Sequence, residues 1–167
     1  WSLDYLGLPY TGPDLAISTA KKDLMKFVAH AEGISVPQQV VVETPDNVRA
    51  ACSRLRYPLF VKPNDLGDSI GIDRNSLVRD PSALEPKVRE LTSEYDSTLI
   101  EEYIDGREFS VLVCADPDPL CQPTTFIPAE FRFPEGETFK TFDMKMRRHL
   151  PECNVPCDDP GLAEQLK

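Results

Sequence analysis

The sequence predicts an α+β fold in which helices form one layer on a mixed or antiparallel sheet. Its segments read as helix, strand, helix, strand, loop, helix, two strands and one further strand, without the steady alternation of a doubly wound fold. The paired strands are separated by Asp105 and Gly106, and glycine accepts the backbone angles of a tight hairpin turn. A length of 167 residues with 41% hydrophobic content suffices for one core or for two small lobes.

The first helix is predicted to begin after Ser18 or Thr19, either of which can cap it, and to end before Gly33. Residues 1–17 hold several turn residues and read as a connector that leads into this helix. Apolar side chains recur along the helix at intervals of three and four residues, a spacing that favours one buried face. The side chains of this face are Leu24, Phe27, Val28 and Ala31.

A valine-rich run predicts a strand over residues 38–43. Thr44 followed by Pro45 is typical of a cap and a first helical position, so a helix is predicted from there to about residue 55. A second apolar run predicts a strand over residues 57–62.

Asp80 and Pro81 repeat the cap-and-proline signal and predict a helix that ends near residue 94. The remaining segments are assigned from β-branched runs and turn residues. They are a hairpin of strands over 98–104 and 108–115, a strand over 124–131, mainly loop over 132–160, and a helix from Pro160.

Composition restricts the class of partner. The net charge of −10 argues against a nucleic-acid surface, and no apolar run approaches the roughly 20 residues of a membrane span. Five cysteines without a regular framework are interpreted as free thiols in a reducing compartment, which predicts a cytoplasmic protein. The abrupt start at Trp1 suggests a segment of a longer chain.

Lys62 lies at the end of an apolar strand and is followed by a loop that contains Gly67, Ser69 and Gly71. A buried ammonium group needs an anion or a carboxylate, and a glycine-rich loop can direct several backbone N–H groups to one point. The pattern therefore indicates a polyphosphate site. A lysine that extends to solvent beside an ordinary turn remains the alternative.

Carboxylates frame the predicted hairpin, because Glu101 and Glu102 close its first strand and Glu108 opens the second. Carboxylates accept hydrogen bonds from ribose hydroxyls, and a strand edge can pair with an adenine edge. A solvated acidic hairpin tip is the other interpretation. Lys22 on the first helix and Lys145 in the long loop are candidate phosphate ligands, with ordinary surface lysines as the alternative.

Taken together, these motifs resemble the ATP-grasp family, and within it the D-alanine–D-alanine ligases. The matching blocks are collinear and extend from about residue 7 to residue 146. They are 7–12, Lys22, 33–37, 57–63, 67–71, 99–104, 106–109, Phe139 and Lys145.

The resemblance implies that ATP lies between two subdomains and that a carboxylate is converted to an acyl phosphate before an amine attacks it. The expected catalytic residues are Ser69 and Lys145. The expected ATP ligands comprise phosphate-binding lysines, the glycine loop, an adenine-lining strand end, a ribose carboxylate and a ring that packs on the base. In that order they are Lys22, Lys62 and Lys145; Gly67, Asp68 and Ser69; Glu101, Glu102, Tyr103 and Ile104; Glu108; and Phe139.

The resemblance also implies a domain organisation. Residues 1–17 would connect to a missing N-terminal domain, residues 18–104 would form the small ATP-grasp lobe, and residues 105–167 would begin the large lobe with its closing loop. Mg²⁺ is expected with ligands beyond this segment, so the fold would be truncated at its C-terminal part and no metal ligand is assigned. Small amino-acid substrates and a homodimer of the parent protein are further expectations.

Three positions depart from the family pattern. Lys21 replaces the aspartate that usually precedes the first phosphate lysine, Asp68 replaces the first of two loop serines, and Met146 replaces a tyrosine after the closing-loop lysine. These changes leave a second interpretation open, namely a non-catalytic nucleotide-binding or interaction module with the same fold. Sequence beyond Lys167 would discriminate between them. Metal-binding carboxylates and an asparagine there would support the enzyme.

Overall fold

The computed structural model describes residues 2–10, 19–114, 121–148 and 150–167. It divides the chain into two compact units, Trp1–Ile104 and Asp105–Lys167, which we describe separately. The predicted cap Ser18 and most of the second half of the predicted connector lie outside the described residues.

The first unit contains four helices, four strands and two 3-10 turns among its described residues. In chain order these are α1 (Ser2–Tyr5), α2 (Lys22–Ala31), β1 (Gln39–Val42), α3 (Val48–Ala51), β2 (Leu59–Pro63), a 3-10 turn (Arg74–Ser76), β3 (Leu77–Val78), a 3-10 turn (Pro81–Ala83), α4 (Leu84–Glu94) and β4 (Thr98–Glu102).

The strands of the first unit form one antiparallel sheet in the order β1-β4-β2-β3. Helices α3 and α4 cover one face of this sheet, where their apolar side chains pack against those of the strands. The core consists of Val48, Cys52, Leu59, Val61, Val78, Leu84, Val88, Leu91 and Ile100. This arrangement confirms the α+β prediction and leaves the side chains of opposite parity on the other face of the sheet.

Helix α2 ends before Gly33 as predicted, but its apolar face is not buried. Leu24, Phe27 and Val28 are 56%, 69% and 53% exposed. Its polar side instead contacts the sheet, since Lys26 on that side bonds to Glu101 of β4. The periodicity correctly placed the apolar side chains on one side of the helix. The prediction that this side faces the core was wrong, because the charged side of the helix forms an ion pair with Glu101 of the sheet.

Of the two helix caps predicted before a proline, the one at Asp80 is confirmed and the one at Thr44 is wrong. Asp80 accepts a hydrogen bond from the Ser82 N–H at 2.8 Å, which confirms the predicted start of the segment that leads into α4. The helix expected at Thr44 is shorter and begins at Val48. It follows Asn47, whose left-handed backbone (φ 57°) replaces the predicted cap.

The predicted hairpin is wrong. Strand β4 has β1 on one side and β2 on the other, so neither of its edges is available to the segment after Gly106. That segment forms β5 (Glu108–Ser110), which pairs with β8 (Ala129–Phe131) in the second unit. A turn signal is local, whereas the choice of partner depends on which strand edges the rest of the chain has filled.

The second unit contains two small sheets and two short helices among its described residues, with the sheet orders β5-β8-β9 and β6-β7. The predicted strand over 124–131 is divided between these sheets, and the predicted loop over 132–160 carries short elements. The elements not yet named are β6 (Val113–Cys114), β7 (Thr124–Thr125), α5 (Phe142–Met146), a 3-10 turn (Pro151–Cys153), β9 (Asn154–Pro156) and α6 (Pro160–Gln165).

An ion pair at the start of β5 favours its pairing with β8. Arg107 donates two hydrogen bonds to Glu130, at 2.7 and 2.8 Å, and Arg132 donates to the same carboxylate. The bonds from Arg107 hold the pKa of Glu130 near 2. Phe131 beside it packs with Met144 and Cys153 in the small core of this unit.

All five cysteines are free thiols. Among the described residues, no helix combines the length and the apolar character needed to cross a membrane.

Candidate functional site

Lys62 lies on the face of the sheet opposite the core. Side chains alternate along β2, so Leu59 and Val61 are fully buried against the helices while Phe60 and Lys62 point the other way. The Lys62 side chain is only 16% exposed and its ammonium lies 5.6 Å from the centroid of the Phe60 ring. A cation with so little exposure requires an anionic partner.

Glu101 of β4 is that partner. Phe60 is paired with Glu101 across the two strands, so Lys62, two residues further along, reaches the same carboxylate diagonally. Its Nζ donates to Oε1 of Glu101 at 2.5 Å. The sequence analysis placed Glu101 beside adenine, whereas in the structure its side chain binds lysines.

Lys26 of α2 donates to the other oxygen of the same carboxylate, Oε2 of Glu101. The sequence analysis missed this residue. The signal was available, because Lys26 follows Lys22 by four residues and therefore lies on the same side of the helix.

Lys22 binds the root of the glycine loop. Its Nζ donates to the carbonyl oxygen of Pro63 at 2.9 Å and to that of Leu66, the residue before Gly67. Lys22 and the loop are thus in contact, as a shared phosphate site would require. The bonds also link the ammonium group of Lys22 to the backbone at the start of the loop.

Asn64 joins the start of α2 to the end of β2. It is 1% exposed, and its Oδ1 accepts from the Asp23 N–H while its Nδ2 donates to the Asp23 carboxylate at 2.9 Å. Its carbonyl also accepts from the Lys22 N–H at 2.9 Å. These three bonds fix the position of Lys22 relative to the loop. Sequence reasoning did not identify Asn64 because a single asparagine after a strand reads as a turn residue.

We expect Asn64→Asp to lower the free energy of unfolding by about 2–3 kcal/mol, because a buried donor is lost and two carboxylates then face each other. The double variant Asp23→Asn/Asn64→Asp exchanges the two groups and restores one amide-to-carboxylate bond. Urea denaturation should show that it recovers at least half of the loss. A double variant less stable than Asn64→Asp alone would show that the pair does not form the joint described here.

The three lysines carry more positive charge than Glu101 can neutralise. Burial, together with the ammonium groups of Lys26 and Lys22, lowers the pKa of Lys62 to about 7. Burial lowers the pKa of Lys26 to about 8 and also lowers that of Lys22, where Asp65 opposes the change. We call Lys22, Lys26, Lys62 and Glu101 the lysine cluster. Its excess charge is what an anionic ligand would complement.

The glycine loop has an unusual backbone. Asp68 and Ser69 are both left-handed, with φ of 52° and 57°, and the Ile70 N–H closes a turn by donating to the Gly67 carbonyl at 3.0 Å. Left-handed backbone at non-glycine residues costs free energy and is enriched at functional sites. The turn is therefore consistent with a loop shaped for a ligand.

The strand end 102–104 is also engaged in local contacts. Arg56 binds the Glu102 carboxylate through its backbone N–H and its guanidinium, with the shortest bond at 2.8 Å. The Glu102 N–H already donates to the Gln38 carbonyl oxygen. Of the backbone groups of Glu102 that were expected to bind the adenine edge, this leaves the carbonyl oxygen. Tyr103 stacks on Phe60 with ring centroids 6.0 Å apart, and Ile104 is 68% exposed.

The second unit holds the other predicted site residues. Glu108 forms an ion pair with Lys140 at 2.6 Å, and the Lys140 ammonium lies 4.1 Å from the centroid of the Phe131 ring. Lys145 is exposed on helix α5, so it was wrong to place it in a loop. Lys140, Lys145 and Arg148 share the lining of a cavity of about 370 Å³. Phe139, also in this unit, is half-buried.

The described residues contain no group of three or more His, Cys, Asp or Glu side chains placed to hold a metal ion.

Comparison with solved structures shows that the chain has the ATP-grasp fold. A D-alanine–D-alanine ligase of Bacillus anthracis, solved as a complex with ATP, matches 99% of the chain over 49% of its own with a TM-score of 0.71 at 21% identity. The family model described as "D-ala D-ala ligase C-terminus" matches residues 28–152. The chain therefore belongs to the D-alanine–D-alanine ligase C-terminus family.

Curated relatives support the same assignment. The D-alanine–D-alanine ligase of Nocardia farcinica is 34% identical over 172 residues, which cover 99% of the chain and 46% of that protein. The corresponding ligase of Chlorobaculum tepidum is 31% identical over 176 residues, with the same coverage. The chain spans about half the length of the curated relatives it matches.

Proposed function

We propose that the chain binds ATP and forms the nucleotide-binding part of an ATP-dependent carboxylate–amine ligase of the D-alanine–D-alanine type. The single observation that carries the proposal is the lysine cluster, in which Lys26 and Lys62 share the Glu101 carboxylate and Lys22 binds the root of the glycine loop. Partly buried ammonium groups are costly without an anion, and a triphosphate supplies one. The family relationship supports ATP as the source of that triphosphate.

Within this proposal the residues have distinct roles. Lys22, Lys62 and Lys145 bind phosphate oxygens. The N–H groups of the loop and the Ser69 hydroxyl surround the phosphates, with Gly67 and Asp68 shaping the turn. Ammonium groups and backbone N–H groups directed at a phosphoryl group stabilise the charge that develops during its transfer, which is the catalytic role proposed for Ser69 and Lys145.

The nucleoside end of ATP is assigned to other residues. The carbonyl of Glu102 and the N–H of Ile104 read the adenine edge, with Tyr103 beside them, and Phe139 packs on the base. Glu108 accepts from the ribose hydroxyls and must then share its carboxylate with Lys140, which already binds it.

The whole ligase would convert an amino-acid carboxylate to an acyl phosphate and release ADP and phosphate when an amine attacks it. Small amino-acid substrates and a cytoplasmic homodimer are part of the proposal for that protein. Mg²⁺ would offset phosphate charge, with ligands that we expect beyond the described residues.

One observation favours a non-catalytic nucleotide-binding module as the second candidate. Asp68 places a carboxylate in the loop that would hold phosphates, and like charges repel. Both candidates predict ATP binding, but only the ligase predicts phosphate release that depends on D-alanine.

Isothermal titration of the chain with ATP, inorganic triphosphate and adenosine tests the proposal. We expect ATP to bind most tightly, triphosphate more weakly and adenosine weakest, because the lysine cluster supplies the charge complement and the strand end supplies base contacts. Saturable ATP binding that triphosphate competes away would support the phosphate role. An ATP titration without saturable heat up to millimolar concentration would refute the proposal for this chain.

A further inference from the structure

Lys26 belongs to the lysine cluster but is not among the residues assigned to bind ATP. It is one helical turn after Lys22 on α2, and its side chain is 18% exposed. Its Nζ donates to Oε2 of Glu101, while Nζ of Lys62 donates to Oε1. One carboxylate is therefore shared between two ammonium groups that approach it from different elements.

This sharing bears on Lys62. Alone, Glu101 and Lys62 would form a neutral pair, and a carboxylate already bound to a lysine competes with any phosphate for that lysine. A second ammonium on the other carboxylate oxygen weakens the hold of Glu101 on the first and leaves the cluster positively charged. Structural stability does not require this excess, because an extra partly buried charge destabilises a pair unless an anion completes it.

We propose that Lys26 is a positioning residue of the nucleotide site, which holds Glu101 so that the Lys62 ammonium stays available to the phosphates. This inference rests on the proposed binding of ATP. Lys26 acts through Glu101 and need not touch the ligand.

The surroundings of Lys62 determine how this role can be observed. Charged groups come from α2 (Lys22, Asp23 and Lys26), from β4 (Glu101) and from the loop after β2 (Asp65). The resulting pKa values of Lys62 and Lys26 are about 7 and about 8. Phosphates favour the charged forms, so binding takes up protons between pH 7 and 9 and the affinity falls as the pH rises. This window lies above the second pKa of a phosphate group, about 6.

Lys26→Met removes one of the ammonium groups that lower the pKa of Lys62. Glu101 then binds Lys62 without a competing bond to Lys26. Titrations with ATP at pH 7, 8 and 9, each in two buffers of different ionisation enthalpy, measure affinity and proton uptake together. We expect ATP to bind about tenfold more weakly at pH 7, equivalent to one lost interaction of about 1.4 kcal/mol. We also expect less proton uptake at pH 8 and a pH profile displaced to higher pH.

Two further variants separate this role from a general effect. Lys26→Arg keeps a permanent positive charge beside Glu101, so the affinity of this variant for ATP at pH 7 should stay within about threefold of that of the unmodified chain. The part of the pH profile that comes from the titration of Lys62 should remain. Lys21→Met removes an exposed charge next to Lys22 and should leave the pH profile in place.

The outcomes discriminate between the inference and the function on which it rests. If the unmodified chain binds ATP but Lys26→Met shows the original pH profile, or loses the same factor at every pH, the positioning role is refuted and ATP binding stands. If the unmodified chain binds ATP without proton uptake between pH 7 and 9, the positioning role is likewise refuted, even where Lys26→Met does not fold. If the unmodified chain does not bind ATP, the proposed function itself fails.

Discussion

Replacing Lys62 by methionine is expected to weaken ATP binding at pH 7 by at least about 30-fold, the largest effect we expect of any single side chain in the first unit. Removing one partner of a buried, hydrogen-bonded charge pair costs about 2–5 kcal/mol of binding free energy, and tenfold in affinity corresponds to about 1.4 kcal/mol. Methionine retains most of the length of the side chain, so Phe60 and Glu101 keep their packing neighbour. Calorimetric titration with ATP measures the change.

The same substitution should not unfold the protein, because Glu101 keeps its bond to Lys26. Lys21→Met, which removes an exposed lysine charge at the start of the same helix α2, is the matched control and should change the affinity by less than about threefold. Equal ATP affinity in the unmodified chain and in Lys62→Met would remove the phosphate role of Lys62.

The sign of the pH dependence of stability follows from the same pKa. The folded-state pKa of Lys62 is about 7, below its ordinary value of 10.5, so between these values the unfolded chain binds the proton and the folded chain releases it. Burying the charged form of Lys62 lowers the free energy of unfolding, and this cost is fully present below pH 7. The cost decreases as the pH rises through this window, so the free energy of unfolding increases. Lys62→Met should accordingly stabilise the fold more at pH 6 than at pH 9.

Gly71→Ala is expected to lower the free energy of unfolding by about 2–4 kcal/mol. Gly71 has φ of 74°, and a Cβ there would lie 2.5 Å from Cγ and 2.9 Å from Cδ of Pro63. A left-handed alanine costs about 1–2 kcal/mol, and overpacking costs about 1–3 kcal/mol. The clash cannot be relieved by rotation of a flexible chain, because the atoms that it meets belong to the proline ring.

Gly67→Ala in the same loop is the matched control for chemical denaturation of Gly71→Ala. A Cβ at Gly67 meets no atom within 4 Å, and its backbone lies outside the left-handed region, so we expect a change below about 1 kcal/mol. Similar losses in both variants would indicate that the loop responds to any added side chain, and that the approach of Gly71 to Pro63 has no special cost.

Strand positions and the α+β class followed from the sequence because they depend on local patterns. The run before Lys62 and the cap at Asp80 are such patterns, and both appear in the structure at about the predicted positions. Lys22, Lys62 and Glu101 were candidates from the sequence pattern, the family resemblance assigned all three to ATP, and in the structure they lie in one cluster.

The failures share a physical cause, since each depended on a partner distant in sequence. Gly106 signals a turn, but strand β4 had no free edge for the segment that follows. Periodicity along α2 identified an apolar face, but Glu101 and the loop at Leu66 attract its charged face instead. Lys26 could not be assigned a role until β4 was known to bring Glu101 beneath it.

The joint at Asn64 has a thermodynamic consequence for ligand capture. Hydrogen bonds of Asn64 hold the start of α2 against the end of β2 and the start of the loop. Much of the conformational entropy of forming the pocket is therefore already lost during folding, before a ligand binds. A chain with a loosened joint would therefore show its weaker association as an entropic penalty, with the enthalpy of phosphate contact retained.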